Sequence, residues 1–152
     1  MSQIEKRIID LGFVLPETSK PLAAYIPAVQ SGNLVFTSGQ LPMISGSLAE
    51  TGKVGGSVSP ERAKELATVC VLNALAAVKT VIGDLDKIKR VVKVVGFVSS
   101  TPEFSGQPGV VNGASELLGD VFGDKGIHAR SAVGVAVLPL DAPVEIELIV
   151  EV

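Results

Sequence analysis

One cysteine and one histidine stand in a chain of 152 residues, and aromatic side chains make up only 4% of it. A lone cysteine closes no internal disulfide, so nothing in the sequence points to an oxidising compartment. Cys70 and His128 cannot build a zinc site without carboxylate help, and no metal is expected. Charge is scarce as well: 19% of the residues are charged, against about 25% in an ordinary globular chain. Thirteen basic side chains oppose sixteen acidic ones, for a formal net charge of −3. That balance gives no electrostatic drive toward nucleic acid. The longest apolar run, Val69 to Val78, is interrupted by Asn73 and ends at Lys79, well short of the ~20 residues a membrane helix uses. The first residues, Met1 to Leu11, mix acids with bases around no long apolar core and do not read as a signal peptide. A phosphate loop ending in Gly-Lys-Ser/Thr is also missing. A soluble cytoplasmic protein is expected.

What is present is apolar. Hydrophobic residues form 47% of the chain, which excludes disorder at so small a net charge. The length suits a single domain over residues 1–152, burying about 68–70% of its unfolded surface. With few charges to cover the remainder, some apolar surface is expected to pack against another subunit.

The order of elements follows from periodicity and punctuation. Ser2 with Glu5 is a capping-box signature, Ile4, Ile8 and Leu11 recur at helical spacing, and Gly12 stops the run, which predicts a helix over 3–11. Pro16, Pro21 and Pro27 make Leu15 to Gln30 extended chain or loop. Asn33 to Thr37 reads as a strand after the Ser31-Gly32 turn signal, and the Gly- and Ser-rich stretch Ser45 to Ser57 reads as loop or hairpin. Ser59-Pro60-Glu61 opens a long helix that Gly83 ends. Val91 to Ser99 reads as a buried strand, Ser105 to Pro108 as a loop, and Val110 to Phe122 as a second main helix. Ser131 to Leu138 alternates, with Arg130, Ala132, Gly134 and Ala136 on one side. In the last strand Val144, Ile146, Leu148 and Val150 lie opposite Glu145, Glu147 and Glu151. The short link Pro139 to Pro143 suggests that these two strands form an antiparallel pair. Two main helices can cover one sheet face, which makes an α+β layer whose other face needs a partner.

Few residues carry chemistry. Cys70 sits among apolar neighbours and reads as a small core residue, and His128 reads as a solvated loop histidine. Arg130, beside small side chains, presents a planar fork suited to a carboxylate. Glu145, on the strand expected next to it, makes the pair either a site or a cross-strand salt bridge. Phe36 to Pro42 runs a strand into Ser38-Gly39. It either offers backbone N–H groups to a ligand or is an ordinary strand-end turn.

These residues carry a resemblance. Thr37-Ser38-Gly39-Gln40-Leu41-Pro42 resembles the N-terminal signature of the Rid family, the reactive intermediate deaminases or YjgF-like proteins. Arg130-Ser131-Ala132-Val133, Leu138-Pro139 and Val144-Glu145-Ile146-Glu147 resemble its C-terminal signature, and Tyr25 stands at the position of its N-terminal tyrosine. The likeness runs from about Tyr25 to Val152. It implies a chorismate-mutase-like α+β fold and a homotrimer with three clefts between subunits. It also implies hydrolysis of small enamines or imines bearing a carboxylate to 2-keto acids and ammonia, without metal or organic cofactor. Arg130 would hold the substrate carboxylate and Glu145 would orient or activate water. Ser38 and Gly39 would supply backbone contacts, Tyr25 would line the cleft from the adjacent subunit, and Asn112 would be a polar wall residue.

The chain departs from the family pattern in three places. Many members carry a cysteine where this chain has Ala132, which excludes cysteine chemistry there. Ile26-Pro27-Ala28 replaces a polar run after the tyrosine, and Thr101 to Val111 is longer than usual. A side branch of the family is therefore expected. The alternative is a non-catalytic module on the same scaffold that binds small carboxylates or regulates. The endoribonuclease label common in the family fits poorly with the acidic balance, the single histidine and the lack of a basic stripe.

Overall fold

A computed structural model describes residues 1–18 and 24–152. The middle of the proline-rich stretch, 19–23, lies outside the described residues. Helix α1 (Gln3–Asp10) starts on the expected capping box: Ser2 Oγ accepts from the Glu5 N–H at 3.0 Å and Glu5 Oε2 accepts from the Ser2 N–H at 3.2 Å. Helix α2 (Pro60–Ile82) starts where Ser59 caps the Arg62 N–H, and it stops at Gly83 with φ of +79°. Helix α3 (Gln107–Phe122) begins earlier than Val110, because Pro108 is tolerated in a first turn that needs no N–H from it.

The strands are β1 (Ala28–Ser31), β2 (Leu34–Thr37), β3 (Met43–Ile44), β4 (Ser47–Leu48), β5 (Arg90–Ser99), β6 (Ala129–Val135) and β7 (Val144–Glu151). β3 and β4 form a small separate hairpin. The other five form one mixed sheet in the order β1-β2-β7-β5-β6. β5 and β6 run parallel, joined by α3 in a βαβ unit, while β5 and β7 are antiparallel. The expected antiparallel pair of the last two strands is therefore wrong. β5 stands between β6 and β7, and the link from Ala136 to Pro143 passes the end of β5 rather than turning a hairpin. Arg130 is the second residue of β6.

α2 and α3 cover one face of the sheet. Val144, Ile146, Leu148 and Val150 of β7 are buried there with Val94 and Val98 of β5, and Leu66, Leu75 and Leu118 come from the helices. Cys70 is fully buried in this layer, as expected of a core residue, and burial pushes its thiol pKa well up. By length and composition α2 would also pass for a membrane-spanning helix, which the interrupted Val69–Val78 run does not suggest. Yet 61% of its apolar window is buried inside the fold.

The opposite face carries no helix. Val29, Phe36 and Val133 are exposed on it, Val133 to 43%, and Val95, Phe97 and Ile149 are half-buried beside Glu145 and Glu147. The uncovered face inferred from the helix count is thus present in the protomer.

The two helices approach closely at Gly113, where a Cβ would lie 2.0 Å from the Lys64 carbonyl oxygen, and Thr68 Oγ1 donates to the Gly113 carbonyl at 3.0 Å. A Gly113→Ala variant should therefore lose about 2 kcal/mol of unfolding free energy in urea at fixed protein concentration, despite the better helix propensity of alanine. An unchanged midpoint would contradict this close approach.

Candidate functional site

The segment after β2 leaves the sheet and returns. Phe36 pairs with Ile149, and Gln40 pairs with Ile146 through reciprocal hydrogen bonds of 2.8 and 3.0 Å. Four steps on one side (36 to 40) span three on the other (149 to 146), so the chain bulges at Ser38-Gly39. The buried Thr37 hydroxyl accepts from the Leu148 N–H at 2.9 Å, replacing the ladder bond that the bulge removes. Ser38 is held by two bonds to the segment before β1: its N–H donates to Pro27 O at 2.8 Å and its hydroxyl to Ile26 O at 2.7 Å. These bonds bring Tyr25, 57% exposed, beside the bulge. Among the described residues the Gly39 N–H has no partner.

Gly39 lies against Glu145. A Cβ at Gly39 would sit 2.6 Å from Glu145 Oε1, so the backbone reaches the carboxylate only because the residue is glycine. Glu145 is half-buried on the open sheet face. Its pKa is raised, chiefly because burial disfavours the charged form and secondly because Glu147 adds a like charge. Ser38, Gly39 and Glu145 therefore stand together within a protomer, with Tyr25 one residue before the Ile26 carbonyl that Ser38 binds.

Arg130 belongs to a second group. It pairs across β6 and β5 with Val94, whereas Glu145 pairs with Phe97, three residues further along β5. Successive side chains alternate faces, so Arg130 lies on the helix-covered face and Glu145 on the open one. The expectation that neighbouring strands hold the two side by side is corrected by the strand order. The same geometry removes a cross-strand salt bridge between them. Arg130 Nη1 instead donates to Asn112 Oδ1 at 2.7 Å and to Ser115 Oγ at 3.2 Å, both on α3. Ala132 lies on the same face as Arg130, in the row of Gly96 and Ile146, half-buried.

Three further residues join this second group: Ser115 and Gln107, to which sequence reasoning assigns no role, and His128, which it reads as a solvated loop histidine. Ser115 lies one helical turn after Asn112 and shares its face, a spacing visible once α3 is read as a helix. His128 is not a solvated loop residue: it is half-buried, with Nε2 2.9 Å from Ser115 Oγ and Nδ1 2.6 Å from Gly126 O. Gln107 comes from the longer stretch between β5 and α3. Its amide donates to Phe104 O at 2.8 Å and to Ser100 Oγ at 3.2 Å, and it rests on Gly134, where a Cβ would meet it at 2.8 Å. The extra length thus folds into the first turn of α3 on the face that bears Arg130. Among the described residues no cluster of three or more His, Cys, Asp or Glu side chains could hold a metal ion.

One protomer thus presents a carboxylate beside an unpaired backbone N–H, and, on the other sheet face, a guanidinium braced by a helix. Comparison with known proteins gives these residues a family context. The family described as "YjgF/chorismate mutase-like, putative endoribonuclease" matches residues 5–152. Protein TCP17 of Trypanosoma cruzi is 43% identical over 142 residues, covering 93% of this chain and 89% of that protein. A protein of Dermatophagoides farinae named 2-iminobutanoate/2-iminopropanoate deaminase is 34% identical over 146 residues, covering 95% of each. The crystal structure of Atu1372 from Agrobacterium tumefaciens superposes with a TM-score of 0.93 at 52% identity, covering 99% of this chain and 92% of that one. Fold, motifs and relatives agree: the chain belongs to the YjgF/Rid family.

Proposed function

We propose that the protein hydrolyses small imines, and enamines after tautomerisation, that bear a carboxylate, yielding 2-oxo acids and ammonia. The site is a cleft between protomers of a homotrimer. Arg130, Asn112 and Ala132 come from one protomer, and Glu145, Gly39, Ser38 and Tyr25 from its neighbour. The observation that carries this reading is the half-buried Glu145, with its raised pKa, beside the unpaired N–H of Gly39. The open apolar sheet face supports the assembly, since packing such faces together removes Phe36, Val133 and their neighbours from water.

The chemistry suits these groups. An imine carbon is already electrophilic, so fixing the carboxylate and placing one water is sufficient positioning. Arg130 holds the substrate carboxylate through charge-assisted bonds. Glu145, ionised, takes a proton from water as the new C–O bond forms on the protonated imine, and the C=N π pair moves to nitrogen to give a neutral carbinolamine. The carbinolamine then collapses. Glu145 returns its proton to nitrogen, the C–N bond breaks with its pair leaving on ammonia, and the hydroxyl proton passes to the freed Glu145 carboxylate and on to solvent as the C=O bond forms, balancing the proton the imine took up. Imine plus water thus gives 2-oxo acid plus ammonia. A carboxylate with a raised pKa is a better base than an ordinary one, and a pKa nearer the working pH lets the same group serve as base in one step and as acid in the next. Ribonuclease chemistry is disfavoured by the single histidine, both of whose ring nitrogens are already hydrogen-bonded.

The test is a semicarbazide-trapping assay with imines generated by an amino-acid oxidase. Wild type should suppress semicarbazone formation, and Arg130→Ala should lose at least about 100-fold in turnover while keeping the wild-type mass in solution. Equal suppression by both proteins would contradict the reading. Inactivity of the wild type with retained binding of a 2-oxo acid would make the site a carboxylate receptor instead.

Glu145 also gives a pH signature. Burial lets the folded protein hold this proton more tightly than the unfolded chain does. The resulting stabilisation is complete below the ordinary value of 4.5 and is lost as pH rises through the raised folded value. Glu145→Gln should therefore lower turnover by about 100-fold or more and yet melt at a higher temperature than wild type at neutral pH. The gain should fade below the ordinary carboxylate pKa, and a variant that melts lower than wild type at neutral pH would contradict it.

A further inference from the structure

We propose that Ser115 and His128 are positioning residues for the Arg130 guanidinium, and that their chain to it leaves the Nε–H/Nη2–H edge as the one that receives the substrate carboxylate. The inference deepens the function proposed above and rests on Arg130 as the carboxylate-binding group.

The Gly126 carbonyl can only accept, so His128 Nδ1, at 2.6 Å, carries a hydrogen and donates it. In the neutral Nδ1–H tautomer the lone pair lies at Nε2, 2.9 Å from Ser115 Oγ, and this assigns the one hydroxyl hydrogen of Ser115 to it. Ser115 Oγ is left with lone pairs only, and one accepts from Arg130 Nη1 at 3.2 Å. The second hydrogen on Nη1 goes to Asn112 Oδ1 at 2.7 Å. Both hydrogens of Nη1 are thereby engaged. A carboxylate binds a guanidinium in bidentate fashion along either Nη1/Nη2 or Nε/Nη2, and the first edge is closed. Among the described residues, Nε and Nη2 of Arg130 have no hydrogen-bond partner and the side chain makes no ion pair.

The chain has a firm far end. Gly126 closes the 3-10 turn Gly123–Gly126 and is packed so tightly on α3 that a Cβ there would lie 2.3 Å from Leu118 O. The imidazole therefore ties the guanidinium to a fixed backbone carbonyl as well as to the helix. A long, rotamer-rich side chain fixed before binding loses less freedom when the carboxylate arrives. That carboxylate is bound alike in substrate and transition state, so weakening the brace raises KM and leaves kcat nearly unchanged.

The chain contains a single histidine, so long-range 1H–15N NMR of labelled protein reads its tautomer without assignment. The Nδ1–H form is expected, with the Nε2 signal moving in Ser115→Ala; the Nε2–H form would overturn the proposal. In the trapping assay Ser115→Ala and His128→Phe should raise KM about tenfold with kcat within about twofold. His128→Gln, whose amide can accept from Ser115 and donate to Gly126, should recover most of the loss. If Arg130→Ala is inactive while folded Ser115→Ala and His128→Phe keep the wild-type KM, the positioning role fails and the proposed function stands. If the wild type neither turns over imines nor binds pyruvate in calorimetry, the proposed function fails and the docking edge with it, whatever the tautomer.

Discussion

The side chains of a β-strand alternate between the two faces of its sheet, and that alternation decides where chemistry can occur in this protein. β5 lies between β6 and β7, and its register sets Arg130 against Val94 and Glu145 against Phe97. Three residues separate those partners, so the cation and the acid face opposite sides. In the proposed cleft the two groups therefore come from two protomers, each giving a different half to two different clefts.

The same constraint explains the surface. α2 and α3 bury one face under a layer of valine, leucine and alanine, which leaves the other face with exposed Val29, Phe36 and Val133. A chain with 19% charged residues has few polar groups to cover such a face. Glu145 stands on it, where burial raises its pKa. In the proposed trimer, packing through this face would remove apolar surface from water and leave Glu145 at the junction between protomers.

Much of this was legible in the sequence, and the reasons are local. Ser2 with Glu5, Ser59 with Pro60, and Gly83 act within one turn of the residues they cap, and they mark helix ends that the structure keeps. β7 reads directly because one of its faces is buried along its whole length. The glycine at position 39 announces a close approach, although only the fold reveals that the approaching group is Glu145. What sequence could not supply is pairing. A link of a few residues between two strands looks like a hairpin, but here it passes β5, which a crossover helix had already set parallel to β6. His128 was misread for the same reason: its partners are a serine on α3 and a carbonyl in a turn, and neither is visible as a spacing motif.

The most direct measurement is complementation between two inactive variants. Arg130→Ala and Glu145→Gln, co-expressed or refolded together at equal amounts, exchange into mixed assemblies. If each cleft takes its arginine from one protomer and its acid from the next, random mixing in a cyclic trimer restores about a quarter of the wild-type sites. That recovery of imine turnover, from two proteins inactive alone, is the result this account predicts. Mixed assemblies that form but stay inactive would contradict it and would place the whole site within one protomer.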